Sequence, residues 1–389
     1  MLGAMKRRRF LAWTAAGFCG ITLGASFWRK VFAQQAVPGP SPYGPISDLP
    51  DANGLRLPAG FSSRVIAVTG ELVPNTLHPW HPLPDGGACF PLADGGWVYT
   101  SNSETPVAGG AAMVRFNGAA EIVDARTILA GTSVNCAGGP TPWGTWLSCE
   151  EWERGLVWEC FLDGQPALPR PALGSFTHEA AAVDPARRTV YLTEDREDGR
   201  FYRFVPDAWP SLASGKLAAA RVKWDDERRL AGDVRWYRVE PAFSARFPPA
   251  AGHTTPFDGG EGCWYDGGLV YFTTKGDNRV WTYNDGTRRL EVIHDPVLHP
   301  DSPLRGVDNV TVSQSGDIYV AEDGGDMQIC LITPARVVAP FLELEGHDGS
   351  EITGPAFAPA GDRLYFSSQR GVNNQGIGMT FEVHGPFRR

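Results

Sequence analysis

Six aromatic residues, each in a short apolar strand that runs out into polar or charged side chains, recur along this chain. They are Tyr99, Trp146, Tyr191, Tyr271, Tyr319 and Tyr365, with gaps of 47, 45, 80, 48 and 46 residues. Four gaps agree closely and the long one holds an insertion. Such a period constrains the fold more than any other feature, because each repeat is one supersecondary unit that buries its apolar face only against its neighbours. Each unit reads as an apolar strand, a tight turn such as Asp184-Pro185-Ala186-Arg187 or Gln314-Ser315-Gly316-Asp317, and a second apolar strand. A further strand pair often follows, as in Val280-Trp281-Thr282-Tyr283. Short strands nested in a period in the forties predict an all-β chain, a six-bladed β-propeller of four-stranded blades. Two packed sandwiches would not share one period. The propeller is expected over 86–389, with the insertion near 206–250 and a Pro/Gly-rich lead-in over 34–85. Amphipathic helix is expected only at Leu212 to Leu230, inside the insertion.

The N-terminus reads as an address. Lys6-Arg7-Arg8-Arg9-Phe10-Leu11 carries a twin-arginine pattern, an apolar run follows to Trp28, and Val31-Phe32-Ala33 offers small residues for cleavage. Residues 1–33 are therefore expected to be a signal peptide of a periplasmic or secreted protein, with no stable membrane insertion after its removal. Twin-arginine export carries folded proteins, which suits a metal site assembled during folding. Beyond Cys19 the sequence has six cysteines and no Cys-x-x-Cys, so zinc ribbons and thioredoxin-like chemistry drop out. With Cys136 as a metal ligand, the remaining five allow at most two bridges, whose pairing the sequence leaves open.

A formal net charge of −9 excludes a phosphate-backbone binder, since no basic stripe is present. It suits cations. In a propeller the innermost strands converge on one axial channel, so residues at equivalent strand ends become neighbours. Those ends are chemically one-sided: Asn135-Cys136, Glu150-Glu151, His178-Glu179, Glu194-Asp195-Arg196, Glu261, Asp308-Asn309, Glu322-Asp323 and Glu351. Carboxylates so crowded repel one another unless cations compensate. Calcium takes six to eight oxygens, whereas a thiolate prefers iron or another transition metal. The expectation is a transition metal near Cys136 and calcium among the acids. Alternation along one strand lets only one of Glu150 and Glu151 face inward, and Glu150 is preferred. The metal set is thus Cys136, Glu150, Glu179, Glu194, Glu261, Asp308, Glu322 and Asp323. His178 is expected to orient Glu179, Glu351 to cap its hairpin, and His253, His294, His299 and His347 to be solvated. No Gly-x-Ser-x-Gly elbow, Walker loop or His-Glu-x-x-His occurs.

The run Asn135-Cys136-Ala137-Gly138-Gly139-Pro140-Thr141-Pro142-Trp143-Gly144-Thr145-Trp146, with Cys149-Glu150-Glu151, resembles the PhoX-type alkaline phosphatases and their shorter relatives. So do His178-Glu179-Ala180, Tyr191-Leu192-Thr193-Glu194-Asp195, Glu261-Gly262, Asp308-Asn309 and Glu322-Asp323-Gly324-Gly325. The resemblance implies a six-bladed propeller with iron and calcium in its channel, hydrolysing small phosphate monoesters. It implies that Cys136 binds iron and that Glu179, Glu194, Glu261 and Glu322 hold metals. One departure stands out. Those phosphatases have a phosphate-holding arginine two residues before the acid matching Glu261, and this chain has Gly259 there. Arg196 or Arg305 is expected to take over that role. The alternative reading is a non-catalytic or lactonase-like calcium-binding propeller. In either case the protein is expected to be a monomer.

Overall fold

The computed structural model describes residues 35–246 and 251–389. The twin-arginine run and Cys19 lie outside the described residues. The described chain is almost entirely β, with 3-10 turns at Pro171–Leu173, Ala251–His253 and Val372–Asn374. The strands form antiparallel up-and-down sets. Pro84–Pro91, Trp97–Ser103, Gly109–Phe116 and Ile122–Thr132 make the first sheet, and Asn135–Pro140, Thr145–Glu150, Val157–Phe161 and Leu168–Pro169 the second. A nine-stranded sheet follows, running from His178–Asp184 at one edge to Gly260–Asp266 at the other. Next comes the run Val307–Val312, Ile318–Glu322, Gln328–Ile332 and Val337–Leu344. The last sheet is Ile352–Phe357, Arg363–Ser368 and Met379–His384, completed by Ser62–Val68.

The insertion explains the nine-stranded sheet. No helix forms over Leu212 to Leu230: Ser211–Trp224 is a strand, paired on one side with Phe201–Ala208 and on the other with Ala231–Val239. Ala231 to Asp233 then pair with Arg289 to Glu291, so the insertion stitches two neighbouring sets together. Its burial alternates over Lys216 to Ala219 and again, one residue out of phase, over Ala220 to Lys223, and partners on both flanks satisfy its backbone.

The innermost strands carry the architecture. Pro84–Pro91 packs on Asn135–Pro140, that on His178–Asp184, that on Gly260–Asp266, then Val307–Val312, then Ile352–Phe357, which returns to Pro84–Pro91. The arrangement is propeller-like, with the strands gathered around an axis. All six repeating aromatics are buried. They lie on second strands and fill the space between neighbouring sets, as where Tyr99 stacks on Tyr365 at 5.0 Å and Tyr319 meets Phe357 edge-on at 5.0 Å. Each ring so buried contributes about 1.5–3 kcal/mol.

The lead-in wraps the ring. Val37–Pro38 runs parallel to Val337–Leu344, Leu55–Arg56 pairs with the far end of the same strand, and Ser62–Val68 closes the last sheet. The six described cysteines are all free thiols, so the two possible bridges are not made. His294 and His347 are buried rather than solvated, the latter bonded to the Ser368 hydroxyl at 2.8 Å. No helix among the described residues is long and apolar enough to cross a membrane.

Candidate metal centre

One local irregularity, repeated, builds the centre. Near its start each inner strand holds one residue more than its partner: Pro84 pairs with Ser103 but Gly87 with Ser101, and Asn135 with Glu150 but Gly138 with Ser148. The same slip separates His178 from Ala181, Gly260 from Cys263 and Val307 from Val310. A bulge re-aims side chains and leaves backbone unpaired. In the first five sets the residue after the opening pair, on the inner strand, is Asp85, Cys136, Glu179, Glu261 and Asp308 in turn, all buried, and in the last, where the slip follows Thr353, it is Gly354. The residue after the partner is Glu104, Glu151, Asp195, Lys275 and Asp323, half-buried or exposed. Two tiers result, a buried one of four carboxylates and the thiol, and one nearer solvent. The last set adds Glu351, Gln369 and Arg370.

The carbonyls freed by the bulges are held by neighbours. Asn102 Nδ2 donates to the carbonyls of Cys136 and Ala137 at 3.0 and 2.8 Å, Thr193 Oγ1 to that of Glu261 at 2.6 Å, and Thr273 Oγ1 to that of Asp308 at 2.5 Å. Small residues follow the tier and let the strands converge. A Cβ on Gly86 would stand 2.5 Å from Ala137 Cα, and one on Gly262 2.6 Å from Val310 N. Below the acids the axis narrows to a cavity of about 20 Å³ lined by Gly86, Ala137, Ala180, Gly262, Gly354 and Trp146, among others. That is room for about one water.

Three groups have ligand atoms within 4.8 Å of one another: Asp85, Glu104 and Cys136; Cys136, Glu151 and Glu179; Glu179, Glu261 and Asp308. Cys136 and Glu179 link them, with the thiol 3.4 Å from Glu179 Oε1. The other oxygen, Glu179 Oε2, is buried without a hydrogen-bond partner. A carboxylate oxygen left bare inside a protein costs several kcal/mol unless a proton or cation meets it. Burial first, then neighbouring carboxylates, pushes these groups up. Asp85 rises to about 7, Glu261 to about 8, Glu351 to about 9 and Glu151 to about 11, while Glu179, Asp308 and the Cys136 thiol also move well upward. The donor set fits metal ions: hard oxygens in excess for calcium, and one sulfur for a softer transition metal.

Of the acids expected at the metals, Cys136, Glu179, Glu261 and Asp308 come together, and Asp323 lies at the solvent edge close enough to raise Glu261 and Glu351. Glu150, Glu194 and Glu322 do not. Glu150 accepts from the amides of Ser133 and Leu156 at 3.0 and 3.1 Å, and Glu322 from those of Arg305 and Gln328 at 2.8 and 3.2 Å. Glu194 accepts from the Arg200 amide at 3.1 Å and from Tyr202 and Ser244 hydroxyls at 2.7 Å each. Each carboxylate thus ties down the loop six residues ahead. In the first of these pairs Glu151 reaches the acids in place of Glu150, because it lies one residue past the strand end, where alternation no longer fixes direction. Asp85 and Glu104 were missed by sequence reasoning, while Glu151 and Asp195 stood among the strand-end residues but gave way to Glu150 and Glu194 in the metal set. Asp85-Gly86-Gly87 and Ser103-Glu104 show the outline of the Cys136 unit, a signal that was there to be read.

His178 does not orient Glu179. Its Nε2 faces the Gly174 carbonyl at 3.1 Å, its ring stacks on Phe176, and burial lowers it to about 3. Neither expected arginine reaches the acids by its side chain. Arg305 turns its guanidinium to the carbonyls of Pro300 and Ser302, and Arg196 is exposed, meeting the site's edge through its carbonyl, which accepts from Gly259. Among the described residues the cations that touch channel acids are Lys275, at 2.6 Å from Asp195 and 2.7 Å from Glu261, and Arg370, at 3.0 Å from Glu351.

Comparison with solved structures places the fold. Pseudomonas fluorescens PhoX, in complex with vanadate, a transition state analogue, superposes with a TM-score of 0.71 at 16% identity, over 87% of this chain and 98% of that one. A Bacteroides thetaiotaomicron protein of unknown function gives 0.50 at 8% identity, over 83% and 76%. A Xanthomonas campestris gluconolactonase gives 0.47 at 13% identity, over 89% and 99%. No curated protein matches by sequence. The sequence profile of alkaline phosphatase PhoX matches residues 94–167 and 163–298, more than half of the chain and most of the centre. The chain belongs to the PhoX alkaline phosphatase family, and its enzyme type is that of a phosphatase, a hydrolase.

Proposed function

We propose that this protein is an exported, metal-dependent phosphomonoesterase built as a six-bladed propeller, with iron and calcium held by the axial acids. The observation that carries the reading is the unpartnered Oε2 of Glu179, a carboxylate grouped both with the Cys136 thiol and with the Glu261 and Asp308 carboxylates. Cys136, Glu151 and Glu179 would hold the transition metal. Glu179, Glu261 and Asp308, and likewise Asp85 with Glu104, would hold calcium. Metals held there would supply Lewis-acid chemistry for a phosphoryl group and would lower the pKa of an oxygen nucleophile.

The chain's own residues do the rest. The two-amide clamps on Glu150 and Glu322, and the Tyr202–Ser244 clamp on Glu194, fix the loops from which Glu151, Asp323 and Asp195 project. Preorganised ligands cost nothing to reorient when charge develops during reaction. Asn102, Thr193 and Thr273 lock the bulge carbonyls, so the buried tier keeps its aim. The narrow axis below closes the channel to anything larger than water, which leaves the outer tier as the route for a small phosphate monoester.

The deciding experiment is a metal inventory of protein purified without chelator, with release of phosphate from p-nitrophenyl phosphate measured on the same sample. Iron with calcium and a phosphatase rate lost in Cys136→Ala is the expected result. Calcium alone with no phosphate release would instead support a calcium-binding or lactonase-like propeller, and no metal at all would overturn the reading.

A further inference from the structure

Lys275 occupies the outer-tier position that holds a carboxylate in four of the other five bulged sets, Glu104, Glu151, Asp195 and Asp323, and Ser368 in the last. It is the reversed charge in that tier. Its ammonium is held by its outer-tier neighbour Asp195 at 2.6 Å and by Glu261 of the buried tier at 2.7 Å, carboxylates that are themselves 12% and 5% exposed, while the lysine side chain is 43% exposed. The ammonium therefore stands where buried acid meets open solvent. An ammonium has three N–H donors. Two carboxylates pair with it, which leaves donor capacity for a group arriving from the mouth.

The stem is also guided. A Cβ on Gly259 would lie 2.8 Å from Lys275 Cγ and 3.3 Å from Asp195 Oδ1, so the bare glycine, at a φ of +65°, makes the lane along which the lysine runs. Backbone bonds from Lys275 N to Gly259 O at 2.8 Å and from Gly276 N to Asp258 O at 3.0 Å hold the two segments side by side. Arg370 is the other cation touching channel acids, but it pairs with Glu351, which is not among the Glu179, Glu261 and Asp308 carboxylates.

We propose that Lys275 is the anion-positioning residue of the centre: its ammonium donates to an oxygen of a phosphoryl group, while Asp195 and Glu261 hold it in place. This rests on the phosphoesterase reading for the identity of the anion. An acid-lined channel repels a phosphate, and a cation fixed at its rim offsets that repulsion on the side where the anion enters. Lysine serves here as a point charge, with no bidentate geometry required.

The test is calorimetric titration of inorganic phosphate into metal-loaded wild type, Lys275→Gln and Lys275→Arg, with metals counted in each sample and melting curves confirming the fold. Phosphate binding at least about tenfold weaker in Lys275→Gln, at unchanged metal content and largely restored in Lys275→Arg, is the expected result; tenfold corresponds to about 1.4 kcal/mol. Equal phosphate affinity in wild type and Lys275→Gln overturns the assignment. So does one extra divalent ion per chain in Lys275→Gln, which would make the ammonium a stand-in for a metal. Wild type that binds no phosphate overturns it as well. Turnover of p-nitrophenyl phosphate is read separately: a wild type that binds phosphate through Lys275 without hydrolysing the ester leaves this assignment intact and removes the catalytic one.

Discussion

Glu150 and Glu151 are adjacent and do opposite things. The first is a bolt, holding the amides of Ser133 and Leu156, and the second reaches the thiol and Glu179. Glu150→Ala is expected to destabilise the protein by about 2–4 kcal/mol, because two half-buried amides lose a charged acceptor. Urea denaturation measures it. Glu151→Gln is expected to do the reverse in metal-free protein, removing a crowded carboxyl, and to lower the metal content found by elemental analysis. Asp85, Glu261 and Glu351 have folded values raised to about 7, 8 and 9, chiefly by burial, against ordinary carboxyl values near 4. The folded metal-free chain therefore binds more protons than the unfolded one. Their contribution is fully present below about pH 4 and is lost as pH rises through 7 to 9. Melting of chelator-stripped protein across pH 5 to 9 should fall with pH, and loading the metals should flatten that fall, since metal competes with protons for the same oxygens. Which acid of each pair turns inward was not legible in the sequence. Alternation is a rule for regular strands, and these residues stand beside bulges or just past a strand's last pair.

The six aromatics, by contrast, were legible because they sit inside regular strand, where the period of two holds and burial between sheets demands a large ring. The insertion misled because Leu217 and Ala220 stand three apart, as on a helix face, while Leu217 and Ala219 stand two apart, as on a strand. Partners on both flanks decided for strand. The bulge as a recurring element has its own consequence. Gly262→Ala puts a methyl group 2.6 Å from Val310 N in the next inner strand, a clash with backbone and not with a side chain that can swing away. Expected is a loss of about 1–3 kcal/mol, by analogy with overpacked cores, together with weakened calcium binding as Glu261 and Asp308 move apart. Calorimetric titration of calcium into the variant checks the second effect independently of the first.

At the scale of the whole molecule, closure depends on a strand borrowed from the front of the chain. Ser62–Val68 pairs with Met379–His384, and Leu55, Leu57 and Ile66 are buried by the same wrap. Removing residues up to 68 should cost roughly 4–9 kcal/mol from those three side chains alone and leave an open strand edge. Loss of a single cooperative melt, with aggregates on size exclusion, is the expected outcome. The sequence marked this segment only as a Pro/Gly-rich lead-in, since a strand of seven residues whose partner lies more than three hundred positions away leaves no local trace. The free thiols carry a different message. With no described cysteine bridged, nothing in this architecture waits for an oxidant. Closure of the described ring rests on strand pairing and packing alone, so a reducing milieu should leave it shut.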